Sequence, residues 1–370
     1  MASRNKRQRG QAQFQNKHPR CAESGWTTRS TFSDSFHSRT PMQRRDWMRW
    51  ALWSALGSGA GSTALAQNPV NGYPKAGATL RYIVPFPPGG LTDVVARLVG
   101  QQLGARWGVN VVIDNKPGGG AQIGADAAAK SPGDGYTLLA ITLAHAANAT
   151  LFKGRAAFDL KRDLRPVALL AGSPMLVVVP AASPIKDFKD LVAQAHQRPL
   201  NTGSSGNGTP PHLTAELFAD LTQTSLQHIP YKGGAPSLTD LIGGQLDVIF
   251  SNFPESIAHV KAGKLRALAI TSPHRHPQVP EVPTTAELGL PQLQVENWTG
   301  ILAPASTPDA IVDKLGAEAV AIIQSPEVAE RARAQGFRID ARGPREFGSF
   351  LNAEIERWAR IISASRIQPD

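Results

Sequence analysis

Short apolar runs alternate with helix-patterned segments through most of this chain, and that alternation constrains its fold more than any other feature. The runs are "LRYIVPF" (80–86), "NVVIDN" (110–115), "YTLLAIT" (136–142), "MLVVVP" (175–180), "LQHIPY" (226–231), "LDVIFS" (246–251), "LRALAIT" (265–271) and "TGILAP" (299–304). Each has strand length, and glycine and proline fall at the strand ends, where turns belong. Between them, Leu91, Val94, Val95, Leu98, Val99 and Leu103 fall on one face of a helix over 91–103. Segments 183–197 and 208–222 follow the same spacing. Strand and helix in alternation predict an α/β architecture with parallel sheets. The last third turns helical. Thr307-Pro308 and Ser325-Pro326 each place a capping residue before a proline at the first helical position. Phe347, Phe350, Leu351, Ile355, Trp358, Ile361 and Ile362 then mark the apolar face of a long final helix.

The 370 residues suffice for two domains with their own cores. The formal charge of +10 is unevenly spread: residues 1–41 carry +6, residues 42–66 carry +2, and only +2 remains for 67–370. The basic balance thus belongs to the N-terminus, and a nucleic-acid footprint on the folded part is not expected. From Met42 the chain reads "MQRRDWMRWALWSALGSGAGSTALAQ". A paired arginine precedes a short Gly/Ala-rich apolar run and an A-x-A pattern, which predicts an export signal over 42–66 with cleavage near Ala66-Gln67. "RRDWMR" looks like a twin-arginine motif. The run is too short and too glycine-rich for a membrane span, which needs about 20 apolar residues. A signal peptide sits at the extreme N-terminus, so translation is expected to start at Met42. Residues 1–41, if made, are expected to be disordered. The only cysteine, Cys21, lies upstream of the predicted cleavage. A mature chain without cysteine has no disulfide, thiolate nucleophile or cysteine metal site.

The stretch "PFPPGGLTD" (85–93) joins a strand to a helix through two glycines. A helix N-terminus exposes unpaired N–H groups and a partial positive charge. Glycine lets a ligand approach that backbone. Gly89, Gly90 and Leu91 can therefore present N–H groups to an anion, with Thr92 or Asp93 capping the helix. No Gly-Lys-Ser/Thr follows, so this is not a triphosphate loop, and G-x-G-x-x-G is absent. The chemistry left is a carboxylate held by backbone dipoles, or a plain strand-to-helix turn. A second cluster, "NTGSSGNGTPPH" (201–212), brings Ser204, Ser205, Asn207 and Thr209 beside three glycines. It is no nucleophile elbow, because Asn207 stands where glycine is needed. "ITLAHAAN" (141–148) adds Thr142 and His145, and "PYKGGAP" (230–236) adds a third glycine turn. All four lie at predicted strand ends, where open α/β sheets bind ligands.

These motifs resemble the Bug-type solute-binding receptors of tripartite tricarboxylate transporters. That family reads "VPFPPGG-TD--AR", "V-NKPGAGG-IGA--VAK--PDGYTLL", "SSGNGT--HL--ELF" and "HVPYKG-APALTDLIGGQVD". The corresponding residues here are 84–97, 112–139, 204–218 and 228–247. "AGKLRALA-TS" and "GLLAPAGTP" recur at 262–272 and 300–308. The resemblance covers about residues 79–364.

It implies a type II periplasmic-binding-protein fold: two α/β lobes joined by crossing hinge strands near 174–181 and 296–304. Lobe one would be 78–175 plus 303–370, and lobe two 176–302. It implies a ligand carboxylate held by Phe86, Gly89, Gly90 and Asp93 of the first glycine loop. Ser204, Ser205, Gly206 and Asn207 would face them, with Thr142, His145, Tyr231 and Ser251 as walls. It implies a periplasmic monomer that binds a small carboxylate and meets the membrane components of a transporter, with no cofactor, no metal and no nucleic-acid partner. Ser251 in "FSNFPES" departs from "FDNLP", and "TLAHAAN" departs from "STHAINP", so the ligand cannot be copied from a relative. A sensing role, or an exported hydrolase or isomerase using Asp93 or His145, is the alternative. The lack of any nucleophile–base–orienter set argues against the enzyme. His145 reads as a wall residue rather than a base, and His212 as structural. Lys232 is either a solvated turn residue or faces the cleft, and Asp93 either balances a helix dipole or touches a ligand. His274-Arg275-His276 lacks metal-site spacing.

Overall fold

The computed structural model describes residues 72–365 and 367. The expectations for 1–41 and 42–66 fall outside the described residues. Among the described residues, ten strands and eleven α-helices, with one 3-10 turn at Gly119–Ala121, follow in the order β1 (Thr79–Val84), α1 (Leu91–Trp107), β2 (Asn110–Asn115), α2 (Gln122–Ala129), β3 (Thr137–Thr142), α3 (Leu143–Leu151), α4 (Leu160–Asp163), β4 (Leu164–Pro180), α5 (Phe188–Gln197), β5 (Leu200–Ser204), α6 (Pro210–Thr222), β6 (Leu226–Pro230), α7 (Gly234–Ile242), β7 (Ile249–Asn252), α8 (Phe253–Lys261), β8 (Leu265–Ile270), β9 (Glu296–Pro304), α9 (Asp309–Gln324), α10 (Pro326–Ala334), β10 (Arg338–Arg342) and α11 (Pro344–Ser365).

Two α/β lobes share one strand. In the first, β1 pairs in parallel with β2 and β3. Then β9 runs antiparallel to β3, and β4 antiparallel to β9, with β10 on the far edge. In the second, β5 and β6 are parallel, and Thr202 bridges in parallel to Val248 just ahead of β7. There β4 runs antiparallel to both β7 and β8. The 17 residues of β4 therefore serve both sheets: Leu164–Pro174 pairs with β9, and Met175–Pro180 with β7 and β8. Each lobe repeats one plan, three parallel strands followed by antiparallel crossing strands. The sheets are thus mixed rather than parallel, because the chain crosses between lobes on β4 and returns on β9.

Local chemistry explains most boundaries. Helix α1 runs four residues past the apolar pattern and stops at Gly108, which takes the left-handed conformation (φ 63°) that glycine adopts without steric cost. Its last residue, Trp107, packs edge-on to Tyr73 at 6.0 Å. Helix α6 begins after Thr209 with two prolines in its first turn. Ser325 caps α10 ahead of Pro326, whereas α9 starts one residue later than expected, after Pro308. Strand β5, "LNTGS", escapes a pattern search because Asn, Gly and Ser are poor strand formers; pairing with β6 overrides that. The first half of β4 contains Pro166, Gly172 and Pro174, which argue against a strand. Register shifts at Pro166/Ala168 and Leu169/Ala171 absorb them.

Candidate functional site

A cavity of about 340 Å³ lies between the lobes, at the C-terminal ends of strands from both. Its wall contains the N-cap residues of five helices: Gly90 of α1, Thr142 of α3, Thr209 of α6, Gly233 of α7 and Asn252 of α8. Convergent helix N-termini give a field that favours negative charge. Lys232 and His259 add nitrogen groups, and Glu255 is a carboxylate in the same wall.

The first glycine loop is braced from within. Asp93, 2 % exposed, accepts a hydrogen bond from Gly89 N–H at 2.9 Å. It also pairs with Arg97 and accepts from Asn115 Nδ2. Burial opposes its ionisation, but the Arg97, Gly89 and Asn115 hydrogen bonds win, and its pKa lies below the usual carboxylate value. Gly89 has φ 82°, which suits glycine. Gly90 caps α1 without a side-chain hydrogen bond, so neither Thr92 nor Asp93 is the cap. Leu91 N–H donates to Glu255 Oε1 at 3.3 Å. Of the three N–H groups expected to meet an anion, those of Gly89 and Leu91 are met by the protein's own carboxylates. Glu255 is partly exposed, and burial, offset by the Asn252 and Leu91 hydrogen bonds, raises its pKa.

Of the residues singled out in the sequence, Phe86, Gly89, Gly90, Thr142 and Ser205 line this cavity, as do Leu91, Thr92, Thr209 and Lys232 of the same loops. The others stand behind it or beside it. Ser204 is fully buried, accepts from Gly206 N–H and lies 2.6 Å from His228 Nε2. Neither Ser204 nor His228 lines the cavity. Gly206 (φ 125°) accepts from Thr209 N–H, shaping the turn into α6. The Asn207 carbonyl sits beside Gly120 of the opposite lobe. Tyr231 donates its hydroxyl to Asp240 at 2.7 Å, and burial together with that carboxylate pushes its pKa up to about 12. Ser251 is buried and donates to the Asn252 carbonyl. His212 is buried, accepts from Gly208 N–H and stacks on His228. Lys232 lies in the cavity wall. Asn252, Glu255 and Asn297 also line the cavity, outside the residues expected to. Asn252-Phe253-Pro254 carried a usable signal, a capping residue shortly before proline at a helix start.

His145 lines a neighbouring cavity of about 520 Å³ and meets Phe86 edge-on at 6.4 Å. It closes a capping box: Thr142 Oγ1 accepts from Ala144 N–H, and Thr142 N–H donates to His145 Nδ1, each at 3.2 Å. Burial lowers its pKa from 6.5 to about 4. The unfolded chain therefore takes a proton near pH 6.5 that the folded one refuses until about pH 4. Stability from this residue is present above pH 6.5 and is lost as pH falls through that window. His145→Gln keeps an acceptor for Thr142 N–H. It is expected to remove roughly 2–3 kcal/mol of the stability lost on acidification. Urea unfolding of both proteins at pH 7 and pH 4 measures the difference; equal pH profiles contradict it.

Comparison with known proteins settles the family. Residues 95–367 match the profile of the tripartite tricarboxylate transporter family receptor (TctC). The chain belongs to that family. BugT of Bordetella pertussis is 36% identical over 304 residues, 81% of this chain and 93% of BugT. A Rhodopseudomonas palustris protein solved with adipate is 34% identical with a TM-score of 0.76, over 80% of this chain and all of that one. MatC from Rhodopseudomonas palustris, solved with bound malate, is 32% identical with a TM-score of 0.73, over 77% of this chain and 99% of MatC. A periplasmic transporter at 37% identity (TM-score 0.76) and the periplasmic binding protein BugD at 28% (TM-score 0.73) share this fold, and the family is one of solute-binding receptors rather than enzymes. No helix among the described residues is long and apolar enough to cross a membrane.

Proposed function

We propose that this chain is an extracytoplasmic receptor that captures a small carboxylate between its lobes and delivers it to the membrane components of a tripartite tricarboxylate-type transporter. The observation that carries this reading is the convergence of five helix N-termini on one inter-lobe cavity beside Lys232. The relatives solved with adipate and malate support it. Ligand contacts are assigned to Phe86, Gly90, Thr142 and Ser205, with Gly89, whose N–H is held by Asp93, lining the cavity beside them. Asp93, His145, Ser204, Gly206, Asn207, Tyr231 and Ser251 are assigned to shaping the loops that carry those contacts. Lobe one is taken as 78–175 plus 303–370 and lobe two as 176–302; the pairing of β9 with β3 supports moving the second boundary to 296. Residues 42–66 are assigned as an export signal cleaved near Ala66-Gln67, giving a periplasmic monomer.

Capture works by closure. A ligand that prefers the closed form shifts the open–closed balance by its difference in affinity for the two. Closure excludes water, so backbone dipoles act in a lower dielectric. Glycines permit the approach: a Cβ on Gly233 (φ 109°) would lie 3.0 Å from Pro87 Cγ of the first glycine loop. The test is thermal unfolding of the purified protein, unfolded and refolded to strip carried-over ligand, against a panel of mono-, di- and tricarboxylates. A ligand at 100 times its dissociation constant stabilises by about 2.7 kcal/mol. One clear upward shift is the expected result. No shift with any carboxylate overturns the proposal.

A further inference from the structure

The wall of the cavity contains a short polar relay with one unused acceptor. Glu255, in the first turn of α8, receives Leu91 N–H at Oε1. Asn252, the N-cap of the same helix, turns its side-chain oxygen toward Asn297. That oxygen accepts from Asn297 Nδ2 at 2.8 Å. Asn297 in turn is fixed with its nitrogen toward Asn252. Asn297 lines the cavity, and its Oδ1 has no hydrogen-bond partner among the described residues. Asn297 is 3 % exposed and Asn252 4 %. A buried acceptor left unpaired is costly, so a partner supplied by the ligand is favoured.

Glu255 matters in a second way. Its carboxylate already occupies the N-terminus of α1, the place an incoming carboxylate would seek. A ligand whose second carboxylate entered there would meet a like charge. A ligand bearing an O–H or N–H donor would meet two acceptors, Glu255 and Asn297 Oδ1. The ligand's own carboxylate is left to the other donors of the wall, Lys232 and the Ser205 and Thr142 hydroxyls.

We propose that Glu255 and Asn297 are the specificity determinants of this site, and that its ligand is a carboxylate carrying a hydroxyl or ammonium donor beside its acid group, a hydroxy acid or amino acid rather than an unsubstituted acid. This rests on the carboxylate-receptor reading above. The test uses families that share a skeleton and differ at one carbon: succinate, malate and aspartate; glutarate, 2-hydroxyglutarate and glutamate; phenylacetate, mandelate and phenylglycine. Each is titrated calorimetrically into the purified, refolded protein. In the skeleton that binds, the hydroxy or amino member is expected to bind at least about tenfold tighter than the unsubstituted acid, since a site with buried acceptors rejects the analogue lacking the donor. Glu255→Gln is expected to shrink that preference to below about threefold, with the amino acid losing more than the hydroxy acid because the charge pair is gone. Asn297→Ala, which removes the other acceptor, serves the same purpose if Glu255→Gln does not fold. An unsubstituted acid that binds as tightly as its substituted partners overturns the inference and leaves the receptor reading standing. A variant that keeps the full preference also overturns it. No binding by any acid overturns both.

Discussion

Trp358→Ala is expected to cost about 3–5 kcal/mol, the range for deleting a large aromatic side chain from a packed core. Trp358 is fully buried on α11, in the cluster that includes Leu143, Ala147, Phe347 and Leu351. Helix α11 packs against α3, whose first turn holds the Thr142–His145 capping box at the edge of the cavity. The void has few routes to collapse, because α11 is also tied down by Trp298 Nε1 donating to Glu354 at 3.0 Å. The melting midpoint is expected to fall by about 6–20 °C, from roughly 2–4 °C per kcal/mol for a chain of this size class. Trp358→Phe keeps most of the volume and should lose much less. A loss below about 1 kcal/mol for the alanine variant would show that α11 is not a wall of this core.

The second large effect is on binding. Gly120→Val is expected to weaken the ligand by at least about 30-fold while the protein still folds, as binding falls when the competent state is disfavoured. Gly120 has φ 62°, unfavourable for a β-branched residue. A Cβ there would lie 2.7 Å from the Asn207 carbonyl of the opposite lobe and 3.3 Å from Asn148 Nδ2. The Asn207 oxygen belongs to backbone, so the lobes must separate to make room. Gly120 does not line the cavity, so lost affinity reports closure rather than a lost contact. Small-angle scattering with and without ligand should find the variant more expanded than the wild type. Unchanged affinity would detach this contact from closure.

Much of the fold could be read in the chain because its central strands, β3, β9 and the second half of β4, are buried on both faces and contain continuous apolar segments. "YTLLAIT" and "LRALAIT" lose only an end residue each. Strand β10, "RIDAR", stayed hidden because an edge strand carries Arg338, Asp340 and Arg342, which a pattern search takes for a loop. The mixed direction of the sheets was hidden too, since pairing is a matter of connection and not of composition. In the site, glycine loops were legible because their backbone function needs glycine. Glu255 and Asn297 were not. They lie 42 residues apart in sequence, on α8 and at the start of β9, and no local pattern marks residues that converge only in the cavity wall.

Strand β4 carries a mechanical consequence. Its backbone is hydrogen-bonded to β9 on one side of Pro174 and to β7 and β8 on the other. A segment clamped in two ladders cannot swing as a loop does; it can only be wound or unwound about its own axis. The connection therefore behaves as a torsion bar, and the angle between the lobes is close to a single coordinate. The step from Pro174 to Met175, where the ladder to β9 ends and the ladder to β7 begins, is the place where that bar is least braced.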